Sequence, residues 1–168
     1  MAYQKEVLCI LVDNHPGVLA RVSSLFTRRG YNIDSLTVSA TDNPLLSRIT
    51  IVVTGDEAIL EQIISQTFKL EETREIFALD ADNSLFRELL LVKVAADDDT
   101  RGKVREIAEI YNAHIVDLSV ASMVIELTGT PAKIDAFLSV IGEFRILEMC
   151  RTGVTALERG SERHIMKK

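Results

Sequence analysis

The chain has 168 residues, 47% of them hydrophobic and 26% charged, so it is one ordinary domain or two small ones with enough apolar surface to fold. A net charge of −6, with 19 Lys and Arg against 25 Asp and Glu, gives no basic footprint for nucleic acid, and the absence of Trp argues against base stacking. No apolar run is long enough to cross a membrane, and Lys5 and Glu6 interrupt the stretch a signal peptide would need; the expectation is a soluble, cytoplasmic chain.

In chain order, Val7 to Val12 is an unbroken apolar run, as for a strand covered on both faces. Val18, Leu19, Val22, Leu25 and Phe26 follow at helical spacing, and Gly30 stops that helix. Leu36, Val38 and Ala40 alternate with Ser35, Thr37 and Ser39, predicting a half-buried strand. Asp42-Asn43-Pro44 is turn chemistry, and Ile49, Ile51 and Val53 mark the next strand. Asp56 can cap a helix with the stripe Leu60, Ile63, Ile64 and Thr67, and a fourth strand runs from Ile76 to Leu79. Polar residues 80–83 read as a linker.

The same order then repeats. Tyr31-Asn32 recurs as Tyr111-Asn112, Leu36-Thr-Val38 as Leu118-Ser-Val120, and Thr54-Gly55 as Thr128-Gly129. The shrinking offset means that the second copy has lost about eight residues between its middle strands. Its strands are expected at 89–94, 115–120, 123–127 and 146–150, with helices marked by Val104, Ile107, Ala108 and Tyr111 and by Ile134, Phe137, Leu138 and Ile141. Two βαββαβ units in tandem, an α+β fold of ferredoxin-like type with antiparallel sheets, account for the whole pattern. Beyond Gly153 the pattern fades, and Glu158 to Lys168 reads as a frayed tail.

Candidate chemistry is sparse. Cys9 and Cys150 lie in apolar segments far apart in sequence, neither metal-ligand nor redox spacing, and read as buried reduced thiols. No nucleophile, zinc or phosphate-loop motif accompanies His15, His114 or His164, so neither catalytic nor metal residues are assigned. Asp97-Asp-Asp-Thr100 could ligate a hard cation but stands just before a helix, where capping explains it. The segment Asn14-His15-Pro16-Gly17-Val18-Leu19 is more informative. A buried strand ends, Pro16 can open a helix, and Gly17 leaves the backbone N–H groups of the first turn approachable. Such a helix start suits a carboxylate; alternatively Asp13 or Asn14 caps it and the loop is only a loop. Asn32 begins the strand expected at the edge of the first sheet. No charged residue guards its polar face, so it could pair with a second copy and bring Asn32 near the partner's Asn14–Gly17 loop.

Residues 14–22, Arg28-Arg-Gly-Tyr-Asn-Ile33, Ser35-Leu-Thr-Val38, Leu46-Ser-Arg48 with Thr50-Ile51, Leu91-Val-Lys93, Asp135-Ala-Phe137 and Arg151-Thr-Gly-Val154 together resemble the regulatory (small) subunit family of acetolactate synthase, over nearly the whole chain. The resemblance implies an ACT domain for effector binding and dimerisation at 5–79 and a second ferredoxin-like domain at 84–160. It implies a non-catalytic chain that activates a large subunit, on which thiamine diphosphate, Mg and FAD are expected, with no cofactor on this chain. It also implies feedback inhibition by valine, leucine or isoleucine, valine first, in branched-chain amino-acid synthesis. The effector site would comprise Asn14, His15, Pro16, Gly17, Val18 and Leu19 of one subunit with Asn32 and Ile33 of the other. A stand-alone amino-acid-sensing regulator of another enzyme or of transcription is the alternative; it would carry a DNA-binding helix pair or basic patch, and neither is visible.

Overall fold

The computed structural model describes residues 4–160 and 166–167. They form two compact units, one of residues up to 85 together with those from 154 onward, the other of residues 86–153. The first unit runs β1 (Gln4–Asp13), α1 (Val18–Arg29), β2 (Ile33–Ala40), β3 (Leu46–Gly55), α2 (Glu57–Phe68) and β4 (Thr73–Ala78). The second repeats the order with β5 (Ser84–Ala95), α3 (Arg101–Ile110), β6 (His114–Leu118), β7 (Ser122–Gly129), α4 (Pro131–Ile141) and β8 (Ile146–Arg151). Two short strands follow, β9 (Thr155–Glu158) and β10 (Met166–Lys167). The strand orders are β10-β4-β1-β3-β2 and β6-β7-β5-β8, with antiparallel pairing between neighbours, so the ferredoxin-like α+β fold read from the sequence is the one formed.

Each unit packs two helices on one face of its sheet. In the first, Leu8, Ile10, Ile49, Ile51 and Ile76 meet Val22 and Phe26 of α1 and Ile63 of α2. In the second, Val92, Ile125 and Leu127 meet Val104 of α3 and Ile134 and Phe137 of α4. The repeated Thr-Gly pair has a packing cause. A Cβ on Gly55 would stand 2.9 Å from Ile59 Cγ2, and one on Gly129 would stand 2.8 Å from Lys133 Cδ. Each strand therefore ends in glycine where the first turn of the following helix passes over it.

The opposite sheet faces differ. In the first unit Cys9, Thr50, Val52 and Phe77 are buried on that face. Part of the cover is the returning chain, whose Val154 and Ala156 are themselves buried. In the second unit Leu91 and Cys150 are exposed on the corresponding face. Cys150 is thus a correction to the sequence reading. It sits on edge strand β8, whose apolar neighbours Ile146, Leu147 and Met149 are also exposed, so an apolar sequence context there does not mean burial. The frayed-tail reading also changes: β9 is ordered, and β10 pairs through Met166 and Lys167 with Ile76 and Glu75 of β4. His164 lies outside the described residues.

Candidate functional site

The loop from Asn14 to Gly17 joins β1 to α1 and is held from three sides. Asp13 accepts two hydrogen bonds from Arg74, at 2.7 Å from Nε and 2.6 Å from Nη2, and that hydrogen bonding together with the carboxylate charge favours the charged guanidinium. The Asp13 N–H donates to the Glu72 carbonyl at 2.9 Å, while the buried Glu72 carboxylate pairs with Arg21 of α1. Asn14 ties the loop to the β2–β3 turn. Its N–H donates to the Leu45 carbonyl at 2.8 Å and its Nδ2 to the Pro44 carbonyl at 2.9 Å, and its Oδ1 accepts from Ser47 Oγ at 3.0 Å. His15 is exposed and donates from Nδ1 to the Pro16 carbonyl at 3.1 Å.

This bonding leaves the helix start open. The residue capping α1 is Gly17 itself, at φ 92°, with no side-chain cap and no acidic residue in the first turn. Neither Asp13 nor Asn14 caps it, because tertiary partners have taken both side chains. The amide N–H groups of Gly17, Leu19 and Ala20 have no hydrogen-bond acceptor among the described residues. A Cβ at Gly17 would meet nothing within 4 Å, so open space lies directly over these donors. Val18 is buried in the core beneath them, and Leu19 is part-exposed beside them. Three uncompensated N–H groups at the positive end of a helix form a place for an anion of carboxylate size.

Two of the other helix starts are closed by side-chain caps. Asp56 caps α2 by accepting from Ile59 N–H at 2.9 Å, and Thr130 caps α4 by accepting from Lys133 N–H at 3.3 Å. At α3, Asp97 accepts from the Thr100 N–H at 2.9 Å and from its hydroxyl at 2.7 Å, and these bonds hold the Asp97 carboxyl below the usual carboxylate range. Asp97 is therefore bound up in the turn, but α3 itself has no side-chain cap and Gly102 in its first turn faces open space; what sets it apart from α1 is the acidic run directly before it. Among the described residues no group of three or more His, Cys, Asp or Glu could hold a metal ion. No helix among them is long and apolar enough to cross a membrane.

Asn32 and Ile33 do not join this loop within one chain. Ile33 is level with Val53 and, through it, with Glu6, whereas Ala40 is level with Ser47 and Val12 next to the loop. Seven residues of strand, about 23 Å, therefore separate the two halves of the predicted site. Asn32 donates from Nδ2 to Asp34 at 2.7 Å, and Asp34 in turn accepts from Thr54 at 2.7 Å. β2 is an edge strand, as its sequence led us to expect. Sequence reasoning missed the Pro44–Leu45 turn as the anchor of Asn14; the turn signal Asp42-Asn43-Pro44 was visible, its docking partner 30 residues away was not.

The fold and this open helix start define the chain as a tandem ferredoxin-like protein with an ACT domain at its head. Family models agree over both parts: "AHAS small subunit-like ACT domain" matches residues 8–75, and "Small subunit of acetolactate synthase" matches residues 87–160. The chain is 48% identical over 155 residues to the acetolactate synthase small subunit of Mycolicibacterium smegmatis, covering 92% of this chain and 91% of that one. It is 45% identical to a probable acetolactate synthase small subunit of Archaeoglobus fulgidus, covering 95% of this chain and 99% of that one. The crystal structure of the acetolactate synthase small subunit from Thermotoga maritima superposes with a TM-score of 0.87 at 37% identity, over 95% of this chain and 99% of that one. The chain belongs to the acetolactate synthase small-subunit family.

Proposed function

We propose that the chain is the non-catalytic regulatory subunit of an acetolactate synthase, raising the activity of a thiamine-diphosphate-dependent large subunit and conferring feedback inhibition by a branched-chain amino acid, valine before leucine and isoleucine. The observation that carries this reading is the uncapped start of α1, which offers its first-turn amides to open space with no acidic run before it, whereas the equally uncapped α3 follows Asp97-Asp98-Asp99, whose charge would repel an anion. An α-carboxylate would take these N–H groups, and an apolar side chain of three or four carbons would sit beside Leu19. The site requires two copies of the chain. Antiparallel pairing of β2 with its equivalent about a two-fold axis near the middle of the strand brings the partner's Asn32 and Ile33 alongside Ala40 and the loop it adjoins.

Regulation then follows by linkage. An effector that binds one arrangement of the paired chains more tightly shifts the holoenzyme toward it, and a coupling of about 1–3 kcal/mol changes activity some five- to 150-fold. The test is an acetolactate-forming assay with the cognate catalytic large subunit, with and without this chain and with and without L-valine. Activation by the chain that valine reverses is the expected result. A large subunit indifferent to the chain overturns the reading.

A further inference from the structure

The chain leaves its second unit at Gly153 and comes back to the first. Where it lands is specific. Thr37 Oγ1 donates to the Val154 carbonyl at 2.9 Å, and the Val154 N–H donates to Ser35 Oγ at 3.1 Å. Both backbone groups of one buried residue are thus satisfied by two hydroxyls spaced i, i+2 on the same face of β2. One turn of chain later Arg48 of β3 donates from Nη2 to the Ala156 carbonyl at 2.8 Å, its guanidinium lying 5.9 Å from the centre of the Phe77 ring. Arg159 N–H then closes on the Asn83 carbonyl at 2.8 Å, inside the same unit. Three polar side chains on a sheet face thus hold Val154 and Ala156, in addition to the pairing of β9 with β5.

We infer that Ser35 and Thr37 are positioning residues that fasten the returning segment to β2 at Val154, and that this fastening transmits effector binding to the rest of the chain without taking part in the binding itself. The inference rests on the effector reading above, in which β2 is the strand shared between two copies and the bearer of Ile33. A change in β2 on effector binding moves the two hydroxyls, and because a buried N–H and C=O left without partners are costly, the segment must follow. The segment is the covalent continuation of the second unit, so β2 has a direct mechanical lead into it.

The test uses the full chain reconstituted with its catalytic large subunit and L-valine as the probe. The double variant Ser35→Ala, Thr37→Val should bind valine and activate within about threefold of the unaltered chain, while inhibition at saturating valine falls from the roughly fivefold or more typical of allosteric coupling to under about 1.5-fold. Thr37→Ser, which keeps the hydroxyl, should restore the response. In the unaltered chain valine should change the hydrogen-exchange rate of the Val154 amide, a readout that needs no variant. Full inhibition of the double variant, a loss of inhibition only in step with weaker valine binding, or a Val154 amide indifferent to valine would overturn the inference. An unaltered chain that binds none of valine, leucine or isoleucine overturns the effector reading first, before any variant is made.

Discussion

The two units share a topology and differ in what each does with the outer face of its sheet and the start of its first helix. In the first unit that face is buried, with Val52 at 1% exposure, and the first helix begins uncapped. In the second unit Leu91, on the equivalent face, is 37% exposed, and the first helix, also without a side-chain cap, follows an acidic run whose Asp97 is bonded to Thr100. The sheet that is covered on both sides is thus the one whose first helix begins free of acidic residues. The two units differ in a loop, its charge and a returning strand rather than in the core.

The largest expected effect tests the covered face. Val52→Asp places an unpaired carboxylate against buried chain and should cost about 4 kcal/mol or more, whereas Leu91→Asp should cost under about 1 kcal/mol, both by chemical denaturation. Equal costs would mean that the two faces do not differ. Next come the buried carboxylates. Glu88 is paired with Arg151 at 2.5 Å, and Arg151 also holds Asp135 at 2.7 Å. Burial works against the Arg151 charge, but the hydrogen bonds to Glu88 and Asp135 outweigh it and raise its pKa. Arg151 is only 30% exposed, so Glu88→Ala should cost about 2–3 kcal/mol by leaving a part-buried cation with one partner. Glu72→Ala should cost less, about 1 kcal/mol, because Arg21 is 64% exposed and returns to water.

Helix caps sharpen the comparison further. Asp56→Ala and Thr130→Ala occupy the same place in their units and should each cost about 1 kcal/mol. The smallest effect is on the second unit's open face, where Lys93 and Glu148 pair at 2.7 Å. Their hydrogen bond, and then their opposite charges, lower the Glu148 pKa and raise that of Lys93. A lowered carboxylate stabilises above its unfolded pKa of about 4.3 and loses that contribution as pH falls through the folded value; a raised lysine stabilises below about 10.4 and loses it as pH rises through its folded value. Lys93→Met should therefore remove a small, salt-sensitive stabilisation seen only between those limits, as a change in melting temperature with pH.

Much of this was legible in the sequence, and the reasons are local. Strands covered on both faces announce themselves as unbroken apolar runs, as Val7–Val12 does, while Lys93 and Glu126 interrupt the strands of the open face. Gly30, Asp56 and the Thr-Gly pairs carry their own backbone reasons. What escaped was everything set by distant partners. Asp13 and Asn14 are good caps in isolation, but Arg74 and the Pro44–Leu45 turn claim them first. Segment 154–158 shows no pattern because hydroxyls 117 and 119 residues away hold Val154. Cys150 reads as buried because its neighbours are apolar, yet it lies on the uncovered face of an edge strand whose other apolar residues are also exposed.

The central claim is that the open start of α1 receives the effector's carboxylate, and calorimetric titration of the full chain with L-valine tests it, using Gly17→Ala and Gly17→Asp. Gly17 has φ 92°, so both variants carry backbone strain, Asp less than Ala, and a greater loss of binding in Gly17→Asp comes from the carboxylate side chain set over the free amides. The account predicts saturable binding by the unaltered chain, weakened binding by Gly17→Ala and none by Gly17→Asp. Equal binding by Gly17→Asp and Gly17→Ala would contradict it, and would place the effector somewhere other than this helix start.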